Sequence, residues 1–299
     1  MLNSLNNYFE GWYFKISAAC GNISFIPGIN IENGYTNAFV QVITSENSYF
    51  INYSIDTFQF SHSPFNIKIG NNVFSMNSLH IDIHDSNQKI DITGDISLSN
   101  HCNLRPSTFS PYIMGPFSYL DFMECNHSVL SMKNTVAGKI CINNNALAFE
   151  NGIGYIEKDW GSSFPKSYVW LQGNNFKNTN ASFFLSIANI PFKFMSFRGI
   201  ICGLLIDNKE YKFTTYYGCK LLKYEVTKCT TNIVLKNRTY TIYIFAENKN
   251  EQKLSAPVNG NMKKTVFESL CSKIKIQLFK DNRIIFEYVS IDCGLEIVE

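Results

Sequence analysis

Hydrophobic and polar side chains alternate with a period of two through most of this sequence. The clearest run is Lys273–Phe279, where Ile274, Ile276 and Leu278 alternate with Lys273, Lys275 and Gln277. That is the pattern of a strand with one face on a core and the other in water. Phe65–Ile69, His80–His84 with Ile81 and Ile83 inward, and the even positions of Ile90–Leu98 repeat it. Short polar breaks separate the runs: Gly70-Asn71-Asn72, Asn143-Asn144-Asn145, Asp207-Asn208-Lys209, Lys236-Asn237-Arg238 and Lys280-Asp281-Asn282-Arg283. Asn, Asp and Gly tolerate the positive φ of tight hairpins, so each break predicts a turn. Helical spacing is nearly absent; its best stretch, Met262–Leu270, is too short to anchor a helical layer.

Many antiparallel strands at regular turn spacing predict an all-β chain, and closure into barrels removes exposed sheet edges. A length of 299 residues accommodates two consecutive barrels of about eight strands or a few more. The glycine-rich Asn151-Gly152-Ile153-Gly154 is the expected seam, dividing the chain into residues 1–150 and 151–299. Each half opens on a tryptophan-bearing strand, Gly11-Trp12-Tyr13-Phe14 and Tyr168-Val169-Trp170-Leu171. The plain explanation of this echo is a tryptophan closing one end of a small barrel.

Composition narrows the function. Hydrophobic residues make up 45% of the chain and the formal net charge is +2, which excludes intrinsic disorder. Twenty-six basic residues balance twenty-four acidic ones without a basic block, so no nucleic-acid partner is indicated. The opening MLNSLNNYFEGWYFK lacks a basic stretch followed by an apolar one, and Ile200–Ile206 is interrupted by Gly203 and too short to span a bilayer. A cytoplasmic location is expected. Nine scattered cysteines without a CxxC read as reduced thiols serving as small hydrophobes. Neither GxSxG, GxGxxG nor a Walker-type phosphate loop occurs, which sets aside serine hydrolases, dehydrogenases and NTPases.

Several segments carry a resemblance: YFEGWYFK (8–15), GPFSYLDFMEC followed by His127 (115–127), GYIEKDWGSSFP (154–165), YVWLQGN (168–174), SIANIP (186–191), GNMKKTVFESL (260–270) and GLEIVE (294–299). Together they resemble the tocopherol cyclase-like family. The resemblance implies two lipocalin-like antiparallel β-barrels packed against each other over an apolar ligand cavity, and a hydrophobic small-molecule substrate. A substrate that resides in lipid would add transient contact with a membrane surface. The implied reaction protonates a prenyl double bond, and a phenol oxygen closes a ring on the resulting carbocation. It needs a carboxylic acid that keeps its proton, aromatic faces for the cation and a dry sleeve, but no metal, nucleotide or redox cofactor.

On an extended segment Tyr155, Glu157 and Asp159 share one face. Two carboxylates held close cannot both ionise cheaply, which makes Asp159 or Glu157 the candidate acid. Trp160 and Trp170 are the candidate cation-facing aromatics, and His127 with Glu124 the orienting groups. Trp12, Tyr13, Phe117, Tyr119 and Phe164 are candidate cavity walls, because they lie in the family-like motifs. The same residues are open to a structural reading, in which EKDWG is a latch with Lys158 paired to a carboxylate and Trp160 wedged between the barrels. Cys125 has nothing nearby to lower its pKa and is not a candidate nucleophile. His80, Asp82 and His84 form a solvated strand face rather than a metal site. Beside the enzyme stands a second reading, a non-catalytic carrier of hydrophobic small molecules.

Overall fold

The computed structural model describes residues 6–106, 113–119, 123–192 and 195–299. Leu120, Asp121 and Phe122 of the GPFSYLDFMEC motif lie outside these residues. Strands dominate them, in two large antiparallel sheets.

The first sheet contains β1 (Tyr8–Ala18), β2 (Gly21–Glu32), β3 (Tyr35–Thr44), β4 (Ser48–Tyr53), β5 (Phe58–His62) and β6 (Phe65–Ile69). It continues with β7 (Asn72–Ser75), β8 (Ser78–Asp85), β9 (Ile90–Cys102), β10 (Cys125–Ile142), β11 (Asn145–Ala148) and β12 (Gly152–Gly161). Its order is β4-β3-β2-β1-β12-β10-β9-β8-β7-β6-β5. The two end strands, β4 and β5, are joined only by the 3₁₀ turn Ile55–Thr57, so the sheet curls back on itself. Side chains bridge the ends: Asn72 Nδ2 donates to the Tyr53 hydroxyl at 3.1 Å and Gln88 Nε2 to the Phe50 carbonyl at 2.9 Å. Trp12, Phe14, Phe25, Phe74, Ile81, Ile92 and Ile156 are among the residues filling its interior.

The second sheet contains β13 (Tyr168–Gly173), β14 (Asn175–Phe176), β15 (Ala181–Phe192), β16 (Met195–Ile206), β17 (Lys209–Thr214) and β18 (Lys220–Val226). It is completed by β19 (Thr230–Lys236), β20 (Tyr240–Glu247), β21 (Glu251–Val258), β22 (Asn261–Lys280) and β23 (Arg283–Val298). The order β17-β16-β15-β13-β23-β22-β20-β19-β18 repeats the first plan. Its end strands are again consecutive, joined by the 3₁₀ turn Thr215–Tyr217. The Tyr211 and Tyr240 rings meet edge-on at 5.1 Å across the closure, and Asn237 Nδ2 donates to the Lys212 carbonyl. Val169, Leu171, Phe183, Leu204, Ile244, Ile276 and Leu295 belong to its core.

The expected hairpins form. Asn143 and Asn144 have φ of 46° and 69°, and Asp281 and Asn282 of 48° and 62°, the doubly left-handed turn that a two-residue hairpin needs. Met262–Leu270 is strand, part of β22, and not helix. The seam is also displaced. β12 pairs with β1 on one side and β10 on the other, so residues 152–161 complete the first barrel. The first unit comprises residues 1–103, 123–164 and 254–265; the second 104–122, 165–253 and 266–299. In the first, Gln41 Nε2 donates to the Ser255 carbonyl at 3.0 Å and Asn30 Nδ2 to the Gly260 carbonyl at 2.9 Å. In the second, the Arg105 N–H donates to Glu210 Oε1 at 2.6 Å and the Tyr216 hydroxyl to the Ile113 carbonyl at 2.9 Å. Among the described residues no helix is long and apolar enough to cross a membrane.

Candidate active site

Side-chain alternation divides β12 into two faces with different chemistry. Ile156 lies in the first barrel's core, and Lys158 and Trp160 follow it on the inner face. Tyr155, Glu157 and Asp159 point the other way, to the outer face. Register brings partners to that face from both neighbours. On β1, Gly11 lies opposite Asp159, Tyr13 opposite Glu157, and Lys15 opposite Tyr155. On β10, His127 lies opposite Asp159 and Val129 opposite Glu157.

His127 is the centre of the cluster. Its Nδ1 lies 2.6 Å from Asp159 Oδ1 and its Nε2 3.7 Å from Glu157 Oε2. The Tyr155 hydroxyl donates to Glu157 Oε2 at 2.5 Å, and the Tyr13 ring stands edge-on to Tyr155 at 6.3 Å. Burial works against charge on the imidazole, but Asp159 and Glu157 outweigh it and push the His127 pKa up to about 9. The ring is therefore an imidazolium at neutral pH. Burial, then Glu157, drives the Tyr155 phenol well above its usual range, so it stays protonated as a donor. Burial and the nearby carboxylates likewise raise the Cys125 thiol well above its usual value, which removes it as a nucleophile.

The His127 ring stands between the two acids, facing Asp159 through Nδ1 and Glu157 through Nε2. The carboxylates stand on the outer face of the barrel wall, opposite the face of Ile156 in the core. Of the three side chains Asp159 is the most accessible, 20% exposed against 11% for His127 and 6% for Glu157. Gly11 opposite it carries no side chain, and a Cβ there would meet nothing closer than 3.7 Å. Asp159 is thus the most exposed end of the trio.

The remaining predicted residues scatter. Lys158 pairs with Glu10 at 2.5 Å on the inner face and lies 5.2 Å from the Trp12 ring and 4.8 Å from Trp160. The lysine–carboxylate pair of the latch reading therefore forms, on the opposite side of the strand from the two acids. Trp12 is fully buried core against Phe60 and Phe65. Trp160 shares its face, the side of β12 opposite the acids. Glu124 is exposed; its backbone carbonyl accepts from the Ser162 and Ser163 N–H groups, and its charge is the smallest of those raising the Cys125 thiol. Trp170 belongs to the second sheet, where β13 pairs with β15 and β23, so it is not on the strand beside Trp160. Phe117 stacks on Phe197 at 5.8 Å in the second unit. Tyr119 is exposed. Phe164 packs edge-on against Phe9 at 5.3 Å.

Sequence reasoning missed Lys15, a lysine only 2% exposed on the trio's face, whose Nζ donates to Ser17 Oγ at 3.0 Å. The signal was present: Lys15 lies between Phe14 and Ile16 in the YFEGWYFK motif, two residues from Tyr13. His80 and His84 behave as expected, in exposed pairs with Asp95, Asp82 and Asp91 on a solvated face. His127, Glu157 and Asp159 are close enough to offer ligand atoms to one metal ion.

Two lipocalin-like barrels, the first bearing a buried imidazole–carboxylate trio, define the class. The family model described as tocopherol cyclase-like matches residues 105–298, which include all three members of the trio. The chain belongs to the tocopherol cyclase-like family. Among solved structures, CghA is similar over 98% of this chain and 88% of its own, with a TM-score of 0.60 at 7% identity. A kievitone hydratase from Nectria haematococca is similar over 99% of this chain and 92% of its own, with a TM-score of 0.53 at 13% identity. At such identities the likeness is one of fold. No protein with a curated description matches this sequence.

Proposed function

We propose that this chain is an isomerase-class enzyme that closes a ring within a prenylated aromatic or related isoprenoid substrate, with the His127–Asp159–Glu157 trio handling the proton. The observation that carries this reading is the 2.6 Å pair between His127 Nδ1 and Asp159 Oδ1, buried beside a second carboxylate at 3.7 Å. A proton held at about 9 on the imidazole is too tightly bound to reach an alkene directly. The relay runs across the short bond to Asp159, the most exposed end of the trio, which passes the proton on. The alkene carbon takes that proton, and the substrate hydroxyl bonds to the cationic carbon. The hydroxyl proton then returns to the trio, so protons balance and the product is an isomer. Glu157, fixed by Tyr155, leaves negative charge facing the developing cation.

Ring closure carried out in heavy water is expected to place one deuterium on carbon in the product. Asp159→Asn and His127→Gln should each lower turnover by at least about a hundredfold, whereas Glu124→Gln should leave it unchanged. Turnover that survives Asp159→Asn, or a product free of deuterium, overturns the mechanism. The carrier reading has one observation in its favour: every acid of the trio already has an internal partner. It is the outcome if apolar ligands bind and are released unaltered.

A further inference from the structure

Five connections of the second unit gather at one end of its barrel, because hairpins on alternate strand pairs of an antiparallel sheet point the same way. Ala181 lies opposite Ile206 and Ile206 opposite Lys209, which sets the turn at 177–180 against that at 207–208. The Asp207 N–H donates to the Asn180 carbonyl at 3.0 Å across that contact. Lys220, the first residue of β18, lies opposite Lys236, the last of β19. Tyr240 lies opposite Lys280 and Lys280 opposite Arg283, so the turn at 237–239 sits beside that at 281–282. The Tyr211–Tyr240 and Phe176–Phe286 ring contacts join these turns around the barrel.

Each connection is cationic. Lys177 belongs to the first, Lys209 closes the second and Lys220 the third. Lys236 and Arg238 belong to the fourth, Lys280 and Arg283 to the fifth, and all of these side chains are exposed. Seven cations stand against two turn carboxylates, Asp207 and Asp281, which leaves +5 at this end when the whole chain carries only +2. Among the described residues the ion pairs of this unit are Lys212–Glu210, Lys223–Glu225 and Lys275–Glu287. None of them neutralises any of the seven.

Apolar side chains stand at the same end. Ile284 and Ile285, directly after the fifth turn, are 50% and 46% exposed, and Tyr288 further along β23 is 38% exposed. The cause is the pairing of β23: β13 and β14 reach it only from Ser290 onward, so residues 283–289 have β22 on one side and no strand partner among the described residues on the other. A bilayer surface with anionic headgroups satisfies both features. Its negative potential draws the cations, and its headgroup region accepts the isoleucines. A nucleic acid would meet the cations and leave the isoleucines in water.

We propose that this end of the second barrel is a membrane-docking surface for anionic lipid, with Ile284 and Ile285 entering the headgroup region. It is independent of the proposed ring closure and of the trio's chemistry.

Co-flotation of the full chain with vesicles of phosphatidylcholine, alone or with phosphatidylglycerol added, tests it. Wild type should float with the anionic vesicles and not with the neutral ones, and about 0.5 M NaCl should release most of it. Arg238→Glu with Lys280→Glu should lower the partition coefficient at least about tenfold. The matched control is Lys228→Glu with Lys249→Glu, two exposed reversals at the other end of the barrel, where the Asn248 N–H donates to the Cys229 carbonyl. It has the same net charge and should float like wild type. Ile284→Ser with Ile285→Ser should also weaken flotation about tenfold, and Asp159→Asn should leave it unchanged, which separates this surface from the trio. If the Arg238 and Lys280 reversal does not fold, Arg238→Gln with Lys280→Gln is read in its place. No flotation with anionic vesicles, or equal loss in the two charge-reversed pairs, overturns the proposal. So does flotation indifferent to the isoleucine pair, which would assign the patch to a soluble polyanion such as nucleic acid.

Discussion

At the scale of single residues, the proposed chemistry hangs on His127. Its folded pKa of about 9 stands above the ordinary 6.5, so folding favours the protonated ring. That contribution is complete below about pH 6.5 and is lost as pH rises through about 9; the gap amounts to on the order of 3 kcal/mol. Urea unfolding of the wild type should therefore show stability falling between pH 6.5 and 9. In His127→Gln that slope should flatten, with a lower overall stability because Glu157 and Asp159 are left facing each other. An unchanged slope in the variant would assign the pH dependence to other groups. The two acids and Tyr155 were legible in the sequence, since a period of two is enough to put them on one face. Their partner was harder to rank: His127 was visible only as an orienting group, because nothing in residue order says that β10 and β12 are neighbours in register. Lys15 was passed over because a lysine in a strand ordinarily faces water.

At the scale of elements, polar breaks and alternation located the strands well, because hairpin turns and period-two burial are local properties. Asn143 and Asn144 both hold positive φ, a conformation that costs most residues roughly 1–2 kcal/mol. Replacing both with alanine should lower unfolding free energy by about 2 kcal/mol in denaturant titration, with no change in the proposed ring closure. The failure at Met262–Leu270 also has a local cause. The pairing of β22 with β23 slips between Ser269 and Ser272 and again between Ser272 and Ile274. Each irregularity changes which face the following residues present. Buried Val266, Glu268, Ser269, Leu270 and Ser272 then follow no strict alternation, and the apolar members imitate helical spacing.

At the scale of the whole molecule, strand order decides what can fold. β12 lies between β1 and β10, so a fragment of residues 1–150 lacks a central strand of its own sheet. Such a fragment should show no cooperative thermal transition by circular dichroism, whereas the full chain should; a cooperative transition in the fragment would contradict this division of the chain. The echo of two tryptophan strands did mark a real correspondence, since β1 and β13 hold equivalent places in the two sheets. Their tryptophans nevertheless face opposite ways, Trp12 into a core and Trp170 out of one. By itself, then, the amino-acid order determined the all-β class, the turns, the two-barrel plan and the pair of acids on one face, all of which follow from short-range periodicity, turn chemistry and family motifs. Only the tertiary structure decided that an imidazole stands between those acids, that they lie outside the barrel wall, and that the cationic turns of the second barrel gather at one end. Each of these depends on register between strands far apart along the chain, and register is set by closure of the sheets rather than by any local preference.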